Sequence, residues 1–315
     1  MKSNNRKHEF KNLVAVDGFH FSGSSILNDI LKESGYVVPK DIRADEFLEI
    51  DNNLSWPKLI NEGYTSSEKL KLVFRILKTI LFRIPVNIIQ KTPIYNHYLL
   101  FKGRADPFHQ STSVNRSIWS YIVSIYILSF KTNHAENLFI DWLELKYKWA
   151  ITNNKNLLLD NGIPKHQAVA KLFFQIDKAL GIFVYRDPRP QYQQILEVYK
   201  LTGKNIPSYE DFLEDLKMQY LSVSWFLNSK HKVLFISFDK FLNESEFRKI
   251  IIEYFQKEGV VQEISYDFTL SQRNNSKLML LSKDNNPGIK EINLEAEIFQ
   301  FHELFEKKLY DTVIK

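Results

Sequence analysis

Short apolar runs alternate with amphipathic stretches along the chain, and each kind predicts an element. Leu13, Val14, Ala15 and Val16 form a compact, partly β-branched run of the sort a buried strand presents. Behind it, Ile26, Leu27, Ile30 and Leu31 recur at helical spacing, and Gly35 suits the C-terminal stop of that helix. NLLLDNGIP (156–164) reads as a second strand ending in a polar turn, and HQAVAKLFFQID (166–177) as the helix after it. GIFVYRDPRP (181–190) is a third strand that stops in charges and prolines, with Pro190 suited to the first turn of a helix over 191–201. A helix over 209–228, a fourth strand over 233–238, a helix in FRKIIIEYFQKEG closed by Gly259 and a final helix over 294–311 complete the series. Strands alternating with helices predict an α/β fold, a parallel sheet flanked by helices. Ligands in such sheets sit at the carboxyl ends of the strands. Asp17-Gly18, Asp160-Asn161 and Arg186-Asp187 emerge at those ends.

Between the first two strands lies a long region, 36–154, with helical patterns and irregular links. Within it KLKLVFRILKTILFRIP (69–85) gathers Lys71, Arg75 and Lys78 on one helix face, against Leu72, Val73, Ile76, Leu77 and Ile80. This predicts a core helix with a solvated basic edge, and a face for anionic lipid is the alternative. SIWSYIVSIYILSF (117–130) is uncharged but shorter than the roughly 20 residues a membrane span needs, so it reads as a buried helix.

Composition narrows the classes. With 24 Phe and 15 Tyr among 315 residues, the chain has enough large apolar side chains for one sizeable core. It has no cysteine, which excludes disulfides, thiolate metal sites and a cysteine nucleophile. No His/Asp/Glu spacing predicts a metal site either. A net charge of +5 favours anionic ligands or a membrane surface, while the lack of a basic tail or nucleic-acid motif argues against nucleic acid. The opening MKSNNRKHEFKN lacks the apolar core of a secretion signal, so a cytoplasmic location is expected.

The chemistry concentrates after the first strand, in VAVDGFHFSGSSILNDILKESG (14–35). Gly18 and Gly23 bracket a turn that needs unusual backbone angles or close approach to a ligand. Ser22, Ser24 and Ser25 supply hydroxyls, and Ser22 or Ser24 is placed to cap the following helix. Strand, glycine–serine loop and helix N-terminus together can form an anion site, and an ordinary tight strand–helix turn is the alternative. The spacing of Gly18 and Gly23 matches a nucleotide-triphosphatase loop, but Ser24 stands where that loop carries lysine. Triphosphate hydrolysis is therefore disfavoured, and a single 5′-phosphate fits better.

Two strand ends together resemble a known family. GFHFSGSSIL (18–27) and VYRDPRPQYQQ (184–194) are similar to the first and second motifs of the P-loop-like sulfotransferases that use 3′-phosphoadenosine 5′-phosphosulfate. VLFISFDKFLNESEFRKIIIEYF and SKDNNPGIKE are similar to later segments of that family, whereas 36–154 has no counterpart. The resemblance implies one three-layer P-loop-like α/β domain over 1–315, with 36–154 a mainly helical insert or acceptor-binding region. It implies that Ser22, Gly23, Ser24 and Ser25 grip the 5′-phosphosulfate, with Gly18 and Phe21 also among the cofactor-binding residues, that Arg186 takes the 3′-phosphate, and that Gln194 stands in for the family's helix serine. It also implies sulfuryl transfer without a metal. The family's loop proline and Lys/Arg fall on His20 and Phe21, and Pro190 replaces the second motif's last aspartate. His20 is the first candidate for leaving-group donor or base, with Asp160 and His166 as further candidates for the base.

Expected partners are the nucleotide donor and a carbohydrate or small-molecule acceptor, with peripheral membrane contact left open. The composition and the missing signal suggest a bacterial enzyme of surface-glycan assembly. A kinase-like phosphate-transferring relative and a non-catalytic binding protein of the same fold are the competing readings.

Overall fold

A computed structural model describes residues 12–19, 21–37, 49–51, 54–55, 65–68, 70–71, 74, 156–160, 162–176, 178–262 and 289–314. Seven strands are described: β1 (Leu13–Gly18), β2 (Tyr36–Val37), β3 (Glu49–Asp51), β4 (Leu54–Ser55), β5 (Asn156–Asp160), β6 (Ala179–Tyr185) and β7 (Val233–Ser237). The described helices are α1 (Ser24–Glu33), α2 (Gln167–Phe173), α3 (Pro188–Thr202), α4 (Tyr209–Ser224), α5 (Phe238–Asn243), α6 (Ser245–Lys257) and α7 (Ile289–Val313), with a 3₁₀ turn at Trp225–Asn228. The chain divides into two compact units, one of Met1–Val38, Asn154–Lys165 and Phe174–Lys315, the other of Pro39–Asn153 and His166–Phe173.

The first unit is an α/β structure. Its five strands run parallel in the order β2-β5-β1-β6-β7. Side chains alternate across a strand, and the two faces separate accordingly. Val14, Val16, Leu158, Leu180, Ile182, Val184, Leu234 and Ile236 share a core with Ile26, Leu27, Ile30 and Leu31 of α1 and Phe247, Ile251 and Phe255 of α6. On the other face Phe183 and Phe235 meet Phe305 of α7 at ring-centroid distances of 6.1 and 4.4 Å, and Phe183 meets Tyr220 of α4 at 6.5 Å. Every residue of β6 and β7 is buried, as a parallel sheet covered on both faces requires.

The connections define a crevice. From β1 the chain passes through α1 to β2, two positions to one side, whereas from β6 it passes through α3 and α4 to β7, one position to the other side. α1 and α4 lie on opposite faces, so the carboxyl ends of β1 and β6 form a topological switch point, the usual ligand position in such sheets.

Several boundaries differ from expectation. Tyr36 and Val37, expected to open the insert, form the edge strand, because Gly35 (φ 88°) turns the chain back alongside Asn156 and Leu157. The third helix begins at Pro188 rather than 191, since Asp187 caps it by accepting from the Arg189 N–H at 3.0 Å. Pro188, with no N–H to leave unpaired, therefore takes the first position expected for Pro190. The helix expected over 209–228 tightens to 3₁₀ after Ser224. The last helix begins at Ile289, so Ile289, Lys290 and Glu291 of the expected polar loop are helical.

In the second unit, β3 and β4 pair antiparallel, so the region read as helical also contains strand. Ahead of the helical residues 66–68, Thr65 and Glu68 exchange backbone-to-side-chain bonds as a capping box, with N···O distances of 2.9 and 3.3 Å. Most of the basic helix expected over 69–85, and all of 117–130, lie outside the described residues. Among the described residues no helix is long and apolar enough to cross a membrane.

Phe235 is fully buried against Phe183 and Phe305. Phe235→Ala is expected to cost about 3–5 kcal/mol by transfer and cavity terms, read as the shift in a urea unfolding transition at constant slope.

Candidate functional site

The loop after β1 is shaped by three backbone features. The Ser22 N–H closes a turn on the Phe19 carbonyl at 2.7 Å. Phe21 then takes a left-handed conformation (φ 60°), costly for a residue with a side chain, and Gly23 takes another (φ 88°). Gly18 lacks the Cβ that would collide with the Ser22 Oγ, so that hydroxyl folds inward. Ser22 is 1% exposed, and its Oγ has no hydrogen-bond partner among the described residues.

Gly23, not Ser22 or Ser24, is the residue before α1, and no side chain caps the helix. The inward turn of Ser22 and the left-handed Gly23 explain that correction. Among the described residues nothing accepts from the backbone N–H groups of Gly23, Ser24 and Ser25, and no acidic residue lies in the first helical turn. The dipole and the free N–H groups there are available to an anion.

Arg186, the residue after β6, is 5% exposed. Its Nη1 donates to Gln194 Oε1 at 2.9 Å and to the Phe21 carbonyl at 3.4 Å. Its Nε lies 3.5 Å from Asp239 Oδ1, and its guanidinium packs 4.9 Å from the Phe238 ring centroid. The carboxylate beside it is thus Asp239, not the neighbouring Asp187, which is engaged by Arg189 at 2.5 Å. The other Asp239 oxygen accepts the Asp187 N–H at 2.9 Å. Burial raises the Asp239 pKa, while that N–H and Arg186 pull the other way.

At the end of β1, Asp17 Oδ1 accepts the Gly18 N–H at 2.7 Å, and Lys165 Nζ stands 3.7 Å from Oδ2, beyond hydrogen-bond reach. Asp17 is 3% exposed, and burial raises its pKa against the pull of Lys165. The Lys165 carbonyl is held by the Trp225 indole N–H at 3.2 Å.

Behind Arg186 a neutral network fixes the strand end. The Tyr220 hydroxyl lies 3.0 Å from His302 Nε2, and the His302 ring packs 4.6 Å from that of Tyr185, the residue before Arg186. Burial holds the His302 pKa down to about 4, partly offset by Asp187.

The loop residues Gly18, Phe21, Ser22, Gly23, Ser24 and Ser25 therefore stand with Arg186 and Gln194 at one switch point. Asp160 is exposed at the end of the neighbouring strand and accepts from Asn28 Nδ2 at 2.7 Å. His20 and Asn161 lie outside the described residues. His166 belongs to the second unit, where its carbonyl accepts the Ala170 N–H and its Nδ1 is buried with no hydrogen-bond partner among the described residues. Among those residues no cluster of metal-ligating side chains occurs. Asp17, Lys165, Asp239 and the Tyr220–His302 pair carry no role in the sequence reading. The one signal for Asp17 and Asp239 was a carboxylate closing, or closely following, an apolar strand.

No protein-family model matches the chain, and no curated protein matches it.

Two consequences are measurable. Gly23→Ala should lose about 2 kcal/mol, because its φ of 88° strains any side chain and the new Cβ would overlap the Phe238 ring. Thermal unfolding of the variant checks this. A histidine whose folded pKa is depressed lets only the unfolded chain take the proton as pH falls below 6.5. Stability from His302 is thus present above pH 6.5 and lost towards about pH 4, by roughly 3 kcal/mol. Urea unfolding from pH 7 to 4 should show this slope in the wild type and lose that part of it in His302→Gln.

Proposed function

We propose that the chain is a sulfotransferase of P-loop-like, three-layer form that binds 3′-phosphoadenosine 5′-phosphosulfate and passes the sulfuryl group to an acceptor hydroxyl, in the favoured case on a carbohydrate. The observation that carries the reading is the buried, unpartnered Ser22 hydroxyl at the bare N-terminus of α1, beside a buried arginine from the adjacent strand. An unpaired buried hydroxyl costs free energy that a bound anion would recover. One phosphate-type group fits the loop, and the Arg186 fork suits a second one a few ångströms away. Two anionic groups on one nucleotide match this pair better than the chain of phosphates in a triphosphate, for which the loop lacks its lysine.

The transfer balances without a co-reactant. The acceptor oxygen bonds to sulfur as the bond from sulfur to the bridging oxygen breaks, and that oxygen leaves with the electron pair on the 5′-phosphate. The loop N–H groups of Gly23, Ser24 and Ser25 meet the charge that develops there. The acceptor proton goes to a base at the strand ends, where Asp160 is exposed and oriented by Asn28.

Calorimetry with 3′-phosphoadenosine 5′-phosphate, AMP and Mg-ATP tests the reading. The bisphosphate should bind selectively, stabilising the fold by about 2.7 kcal/mol at 100 times its Kd. Binding of Mg-ATP alone would favour a kinase, and no binding a non-catalytic role. Arg186→Ala should weaken the bisphosphate by about 1.5–3 kcal/mol and AMP far less. Equal losses for both would make Arg186 a strut for the loop and remove it from the nucleotide contact.

A further inference from the structure

The loop lacks the cation that would face the far end of a phosphosulfate, since Phe21 stands at that position. A cation nevertheless arrives from another element. Lys165, five residues beyond the end of β5, brings its ammonium to 3.7 Å from Asp17 Oδ2 and 5.6 Å from the centroid of Phe19, the residue after Gly18. The Trp225 indole holds its backbone there. Its side chain is 35% exposed, and among the described residues the ammonium makes no hydrogen bond, so its donors are available to a ligand.

Both cations attach near the end of β1. β5, β1 and β6 are successive neighbours at about 4.8 Å each. Lys165 is anchored to the end of β1 through Asp17, and Arg186, from the end of β6, reaches the loop that follows β1. A ligand meeting Arg186, the loop N–H groups and Lys165 at once must carry an anionic group for each cation besides its 5′-phosphate.

We infer that Lys165 is the specificity-determining cation of this site, facing the terminal anionic group beyond the 5′-phosphate in place of the Lys or Arg that the loop lacks. This rests on the nucleotide reading above. In the free protein Asp17 holds the ammonium at its post, and a bound sulfuryl group would draw it away from that long ion pair. As the sulfuryl group departs, the same ammonium meets the charge on the bridging oxygen.

The experiment compares the Kd of 3′-phosphoadenosine 5′-phosphosulfate with that of 3′-phosphoadenosine 5′-phosphate in wild type, Lys165→Met and Lys165→Arg. The ratio of the two affinities isolates the terminal group. It should fall at least tenfold in Lys165→Met and recover in large part in Lys165→Arg. An unchanged ratio in Lys165→Met, whether both affinities stay or both drop alike, overturns the inference and leaves the nucleotide reading standing. Wild-type protein that binds neither nucleotide overturns both.

Discussion

A buried guanidinium holds the carboxyl end of this sheet together. Arg186 reaches the loop through the Phe21 carbonyl, α3 through Gln194 and the start of α5 through Asp239 and Phe238. Removing a charge from water is costly, and the cost is met here by several partial contacts rather than one ideal pair. None of these contacts saturates the fork. Such an arrangement keeps the loop in shape in the free protein while leaving donor capacity for an incoming anion. His302, paired with the Tyr220 hydroxyl, packs against Tyr185, the residue before Arg186.

Charge is distributed unevenly across the strand ends. Arg186, at the end of β6, is balanced by Asp239, Asp17 of β1 is paired with Lys165, and Asp160 closes β5. The loop contributes no charged side chain among its described residues, only N–H groups and hydroxyls. Neutral donors close to cations suit a reaction in which negative charge moves along the ligand, because no single contact has to follow it.

The parts of this fold that rest on local patterning were legible in the sequence. The apolar runs at 13–16, 156–159 and 233–237 form strands, and the helical spacing of Ile26, Leu27, Ile30 and Leu31 places α1 against the sheet. The pairing of Arg186 with Gln194 was also within reach, since eight residues separate a strand end from the second turn of the next helix. What local patterning does not hold is sequence-distant contact. Asp17 meets Lys165 across 148 positions and Arg186 meets Asp239 across 53, and both pairings depend on which strands become neighbours. The cap of α1 was misassigned for a related reason. Whether Ser22 turns towards the helix or into the loop is decided by Gly18, whose missing side chain makes room for the hydroxyl.

The Trp225 indole is bonded to the carbonyl of Lys165 and stacked on Phe226 at a centroid distance of 3.8 Å. An indole emits at longer wavelength when its N–H is exposed to polar, mobile surroundings and at shorter wavelength when it is held in a dry contact. The backbone of the proposed cation is therefore wired to a natural fluorophore. Any rearrangement that carries Lys165 away from Asp17 and disturbs its carbonyl must also alter the surroundings of that ring, so the protein carries its own optical gauge of the Lys165 position.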